Sequence, residues 1–147
     1  MKHRKFMTAA LSQAEKANEK GEIPVGAVIV KDGEIIAKAH NETEIKNSPL
    51  AHAELMAIKE AMDKLNAKYL SDCSLYVTLE PCPMCMGALL HARVGSIVFG
   101  AYDEKTGSAG SKADFSDFSF FRKPQILGGY MEEECAGLLT EFFRNLR

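Results

Sequence analysis

Apolar positions near the start of the chain recur three and four residues apart. Met7, Ala10, Leu11, Ala14 and Ala17 line one side of a predicted helix, and Gly21 ends it. The period then changes. "VGAVIV" and "EIIAKAH" are strand-length apolar segments on either side of "KDGE", whose Asp-Gly centre is a tight-turn signal. Residues 25 to 41 are therefore predicted to form a hairpin. A second helix is expected from near His52 to about Leu65. "SLYVTL" (74–79) and "GSIVFG" (95–100) read as short apolar strands, with a helix between them running from "PCPMC" to about His91. The stretch "AYDEKTGSAGSKADFSDFSFF" is rich in Gly, Ser and Asp and reads as a long functional loop with at most short helical pieces. "PQIL" is a last short strand. Met131, Cys135, Leu138, Leu139, Phe142, Phe143 and Leu146 form the apolar stripe of a closing helix.

This order of elements predicts an α/β fold of three layers, α/β/α, with a central five-stranded mixed sheet covered by helices on both faces. At 147 residues, with no repeat, low-complexity tract or long linker, the chain is expected to form one domain with a proper core. Composition changes this picture little. The formal net charge of −2 gives no bulk support to nucleic-acid binding, so an RNA partner requires a local basic patch. No apolar run approaches the length of a membrane span, and the basic amino terminus soon becomes charged helix and lacks the pattern of a signal peptide. The expected location is the cytoplasm, with no membrane partner. Four cysteines in that reducing compartment are not expected to pair as disulfides.

The cysteines are where chemistry enters. "PCPMC" holds two thiols three positions apart, which by itself is a metal clip, a redox pair or a coincidence. Pro83 suits the first position of a helix. Cys82 then becomes the cap residue, and Cys85 lies on the same face one turn later. Both sulfurs sit at the positive end of the helix dipole, which favours thiolates, and adjacent thiolates call for a divalent cation. Zinc needs more than two ligands. His52, in "SPLAHAEL", opens the second helix and is followed two residues later by Glu54. Residues two apart converge if the first lies at the helix entry, where the backbone is not yet helical. Pro49 favours such an entry by biasing Ser48 away from helix. One His and two Cys leave a fourth zinc position open, as in catalytic sites. Two thiolates neutralise the cation, so such a zinc acidifies water less than an all-histidine site, and Glu54 is the candidate base.

H-x-E followed by P-C-x-x-C is the signature of zinc nucleobase deaminases, and it reads here as "HAE" and "PCPMC". The chain resembles the cytidine deaminase superfamily and, within it, the bacterial tRNA-specific adenosine deaminases. Segments that carry the resemblance are "GEIPVGAVIVKDGEIIAKAHN", "AHAELMAI", "LYVTLEPCPMCMGAL", "VFGAYDEKTGSAGS" and "EEECAGLLTEFFRNLR". The resemblance implies a homodimer with one zinc per subunit that converts adenosine to inosine at the wobble position of a tRNA anticodon stem-loop. It implies that His52, Cys82 and Cys85 hold zinc, that Glu54 shuttles protons, and that Asn41 bonds the flipped base. Ala53, Asp103, Arg144 and Arg147 complete the implied substrate-binding set, with Lys105, Arg122 and Lys123 as further phosphate contacts. Two departures stand out: "SPL" replaces the family's usual Asp-Pro-Thr before the histidine, and Phe121 and Arg122 stand where an Asn-His pair is usual.

Read singly, each residue has a plainer role. His52 is then a helix cap, Glu54 a first-turn carboxylate, Asn41 a turn residue and Asp103 a loop cap. Cys73 and Cys135 lack partners at ligand spacing and are assigned to the core, and His91, six residues beyond Cys85, lies off its face. Two rival functions remain: deamination of a free base such as guanine or cytosine, and a non-catalytic zinc-stabilised binding module.

Overall fold

The computed structural model describes residues 2–118 and 121–146. Strands β1 (Gly26–Lys31) and β2 (Glu34–His40) form the hairpin, joined by Asp32 and Gly33 at φ 52° and 77°. A two-residue turn of this hand needs both centres left-handed, which Asp-Gly supplies. Strands β3 (Cys73–Leu79), β4 (Ser96–Ala101) and β5 (Gln125–Leu127) complete a sheet of order β2-β1-β3-β4-β5. β1 runs antiparallel to β2 and β3, while β4 and β5 run parallel to β3. The helices are α1 (Lys2–Glu19), α2 (Ala53–Leu65), α3 (Pro83–His91) and α4 (Glu132–Asn145).

Side chains alternate between the two faces of the strands. Ala27, Ile29, Leu75, Val77, Ile97 and Phe99 pack with Ala57 and Ile58 of α2 and Met86 and Leu89 of α3. Val28, Val30, Tyr76 and Val98 pack with Phe6, Met7 and Ala10 of α1 and Cys135 of α4. Burial on both faces is why the central strands are almost continuously apolar. Gly26 permits the close seating of α1, since a Cβ there would strike the Ala10 carbonyl and the Ala14 amide.

Three details depart from simple alternation. Ile29 pairs with Ala37 but Val30 with Ile35, so Ile36 is an extra residue and the strand bulges. The slip sends Ile35 to the α1 side while Ala37 and Ala39 face α2. The stripe expected on α4 is too wide: Cys135 and Phe142 are buried, but Phe143 and Leu146 are 46% and 67% exposed. In the long loop, the described residues form a 3-10 turn at Phe115–Asp117, and the Asp114 carboxylate accepts the Ser116 N–H there at 3.0 Å.

The topology determines where a site can form. Because β1 is antiparallel to β3, its amino end reaches the same edge of the sheet as the carboxyl ends of β2, β3 and β4. The segments around Ile23, Asn41, Glu80 and Asp103 therefore converge there, at the kind of edge where α/β sheets bind ligands.

Candidate active site and metal centre

α2 and α3 both start at this edge, and neither starts with a good capping residue. His52 caps α2 at φ −76°, ψ 148°, and Cys82 caps α3 at φ −76°, ψ 174°, with Pro83 next. Only their carbonyls join the helices, accepting from the N–H groups of Met56 and Met86. A Ser or Asp cap is worth about 1 kcal/mol, which both helices forgo. The two side chains are directed elsewhere. The extended backbone at His52 brings its imidazole round to the side of Glu54, two residues on, so that both line one cleft.

The imidazole Nδ1 lies 3.6 Å from Cys82 Sγ and 3.4 Å from Cys85 Sγ. All three donor atoms fall within 4.8 Å of one another. A tetrahedral zinc ion, at about 2.3 Å from sulfur and about 2.0–2.1 Å from nitrogen, places such ligands about 3.5 Å apart. The donor set fits zinc in both spacing and softness.

The charges agree. Cys82 is held down to about 4, first by the Cys85 thiol beside it and then by His52, against the burial that opposes its charge. Cys85 is pushed the other way, by its hydrogen bond to Cys82 and by burial. His52 is raised, chiefly by its bond to Cys82. Without metal, Cys82 thus favours the thiolate and Cys85 the thiol, and a dication bound between them favours the thiolate at both. Glu54 is 4% exposed, and burial pushes its carboxyl up to about 7. A carboxyl poised there exchanges protons readily near neutral pH.

The cleft has a volume of about 160 Å³ and is lined by His52, Ala53, Glu54 and Cys82 at one end. Ile23, Val25 and Leu79 add apolar sides, and Asn41, Thr43, Asp103 and Thr106 the polar rim. This is below the roughly 300–1,000 Å³ of pockets that enclose drug-sized ligands. It suits one flat ring, with anything attached to that ring left at the mouth.

Of the residues expected from the sequence, His52, Ala53, Glu54, Cys82, Asn41 and Asp103 come together here. Asn41 donates from Nδ2 to the Ile23 carbonyl at 3.3 Å and accepts the Thr43 N–H at 3.4 Å, and the residue is 6% exposed. Asp103 does cap its loop: Oδ1 accepts the N–H groups of Lys105 (2.9 Å) and Thr106 (3.1 Å), and Oδ2 the Thr106 hydroxyl. Burial opposes its charge, but those three donors outweigh it and hold the carboxyl below its ordinary range. Arg144 lies exposed in the last turn of α4 and does not line the cleft, and Arg147 lies outside the described residues. Arg122 and Lys123 line a separate groove with Arg93, near the amino ends of β3, β4 and β5. Cys73 and Cys135 are buried core residues, and His91 sits edge-on to Phe121.

Two buried carboxylates escaped the reading of the sequence. Glu22, fully buried, accepts the N–H groups of Glu44 (3.0 Å) and Ile45 (2.8 Å), fixing the loop that leads from Asn41 to His52. Glu80, 1% exposed, accepts from Asp103, Ala109 and Ser111 and so fixes the loop on the opposite side. The trace each left in the sequence is a lone acid beside apolar residues and a nearby proline, in "GEIP" and "TLEP".

Comparison with known proteins shows the family. A model of the MafB19-like deaminases matches residues 1–147. The tRNA-specific adenosine deaminase of Aquifex aeolicus is 50% identical over 142 residues, covering 97% of this chain and 94% of that protein. Its namesake from Bacillus subtilis is 48% identical over 143 residues, covering 97% and 89%. A solved structure from work on A-to-I editing by tRNA:A34 deaminases at the wobble position of transfer RNA gives a TM-score of 0.89 at 39% identity. The match covers 92% of this chain and 99% of that one. The chain belongs to the MafB19-like deaminase family and stands among its tRNA-specific adenosine deaminases.

Proposed function

We propose that this protein is a zinc-dependent hydrolase that deaminates adenosine to inosine at the wobble position of a tRNA anticodon. The observation that carries the reading is the convergence of His52, Cys82 and Cys85 with buried Glu54 at the end of a cleft sized for one ring. Zinc held by those three residues supplies a Lewis acid that makes water nucleophilic at neutral pH.

The remaining chemistry belongs to the chain. Glu54 accepts a proton from the attacking water and delivers it to N1 of adenine as the water oxygen bonds to C6. It then takes the remaining proton from the new C6 hydroxyl and delivers it to the amino group as the C6–N bond breaks and C6=O forms, so that adenosine and water become inosine and ammonia. Ile23, Val25, Leu79 and Ala53 exclude bulk water from the ring. Asn41, its amide oriented by Ile23 and Thr43, has a second Nδ2 hydrogen to offer a base edge. Lys105, exposed in the chain between the cleft residues Asp103 and Thr106, supplies a cation for a phosphate at the mouth. In this reading residues 1–147 act as one deaminase domain, the subunit carries one zinc, and the enzyme is a cytoplasmic homodimer. No described helix is long and apolar enough to cross a membrane.

The test is an anticodon stem-loop with adenosine only at the wobble position, incubated with zinc-loaded protein and analysed by nucleoside mass spectrometry. Inosine at that position supports the reading, and an unchanged stem-loop under conditions of full zinc occupancy removes it. Sedimentation velocity on the same sample decides the dimer.

A further inference from the structure

Glu80 lines the cleft yet has nothing left to give a substrate. Its Oε1 accepts the Asp103 N–H at 3.0 Å and the Ser111 hydroxyl, and its Oε2 accepts the N–H groups of Ala109 (3.1 Å) and Ser111 (3.0 Å). Four donors fill the acceptor positions of one carboxylate. The backbone is tied at the same place. The Glu80 N–H donates to the Ala101 carbonyl at 2.9 Å, and the Pro81 carbonyl accepts the Ser108 N–H at 2.9 Å. Gly107 is part of this lock, because a Cβ there would come within 2.5 Å of the Glu80 carboxylate and also strike the Asp103 carbonyl. The segment from Asp103 to Ser111 is thus wrapped round one buried side chain, two residues before Cys82.

We propose that Glu80 is a positioning residue for the substrate. It holds Asp103 and Thr106, the outer wall of the cleft, in fixed register with the metal ligand Cys82. This rests on the reading of the cleft as the site of an adenosine in RNA. The division of labour follows from the geometry. The ring enters between apolar residues next to Glu54, while the ribose and flanking phosphates meet the wall that Glu80 fixes. Binding of the RNA therefore depends on Glu80, and the chemical step at the ring does not.

Glu80→Gln keeps the size of the side chain but turns one acceptor into a donor facing backbone N–H groups. The expected result is full zinc content, a KM for the stem-loop raised about tenfold or more, and kcat within about twofold. Amide hydrogen exchange at Asp103, Ala109 and Ser111 should accelerate in the same variant. Ser111 is exposed, so Ser111→Ala folds whatever becomes of Glu80→Gln, and it should shift KM in the same direction by a smaller factor. Gly107→Ala forces the Glu80 carboxylate and the Asp103 carbonyl apart without removing either and should copy the Glu80→Gln pattern. Unchanged KM in Glu80→Gln, or in Ser111→Ala and Gly107→Ala if Glu80→Gln does not fold, overturns the proposal. So does a loss confined to kcat. If the wild-type protein does not turn over RNA at all, the functional reading fails instead, and the exchange measurement alone still decides whether Glu80 holds the wall.

Discussion

The His52 Nδ1 and the Cys85 Sγ lie 3.4 Å apart, although 33 residues separate them in the chain. Neither element alone brings this about. α2 and α3 begin at the same edge of the sheet, each with an extended cap residue, and their positive ends face a common point. The edge itself exists because β1 runs antiparallel to β3 while β4 runs parallel to it. This group of three metal-binding side chains is therefore a product of strand direction as much as of residue identity.

Replacing Cys82 with Ala should take the metal away. The expected outcome is a zinc content well below one equivalent by elemental mass spectrometry, together with loss of turnover. Retention of a full equivalent would show that the ligand set is wrong.

Glu54→Gln separates metal binding from proton transfer. The variant should keep zinc and bind the stem-loop, while kcat falls about 10²–10⁴-fold. Activity within tenfold of wild type would remove Glu54 from the proton path.

The same residue sets a pH dependence in the metal-free protein. Its carboxyl stands at about 7 when folded, above its ordinary value, so between about pH 4.5 and 7 the folded state holds a proton that the unfolded state has lost. Stability contributed by the neutral carboxyl is present below that window and falls as pH rises through it, by about 3 kcal/mol in all. Metal-free Glu54→Gln should therefore be more stable than metal-free wild type at pH 8 and close to it at pH 4. Melting curves at the two pH values check this, and a difference independent of pH would contradict it.

How much of this was legible in the chain depended on whether a residue acts locally. The Asp-Gly turn, Pro83 at the start of α3 and the helix entry at His52 are decided by neighbouring residues, and the sequence placed each of them. Ile36 is different: a bulge depends on the partner strand, and two adjacent isoleucines were its only trace. The apolar stripe of α4 was read too far because periodicity marks a face without saying how far the sheet beneath it extends. Phe143 and Leu146 therefore lie exposed. Glu80 was the largest omission. Its role lies in accepting from Ala109 and Ser111, about 30 residues downstream, and nothing near residue 80 announces those donors.

RNA contact should be local and dependent on salt, since the chain as a whole is slightly acidic. Lys105→Ala should weaken stem-loop binding and flatten the plot of log affinity against log salt by about 0.7, the contribution of one phosphate contact on a single strand. Fluorescence anisotropy across a salt series measures it, and an unchanged slope would place the phosphate elsewhere.

The most direct test of the account is ammonia release by the zinc-loaded protein. The substrates are an adenosine-bearing anticodon stem-loop and, in parallel, free guanine, cytosine, adenine and cytidine. The account predicts ammonia from the stem-loop alone, with inosine formed in equal amount. Ammonia from a free base and none from the RNA would keep the metal site and Glu54 but contradict the assignment of an RNA adenosine as substrate.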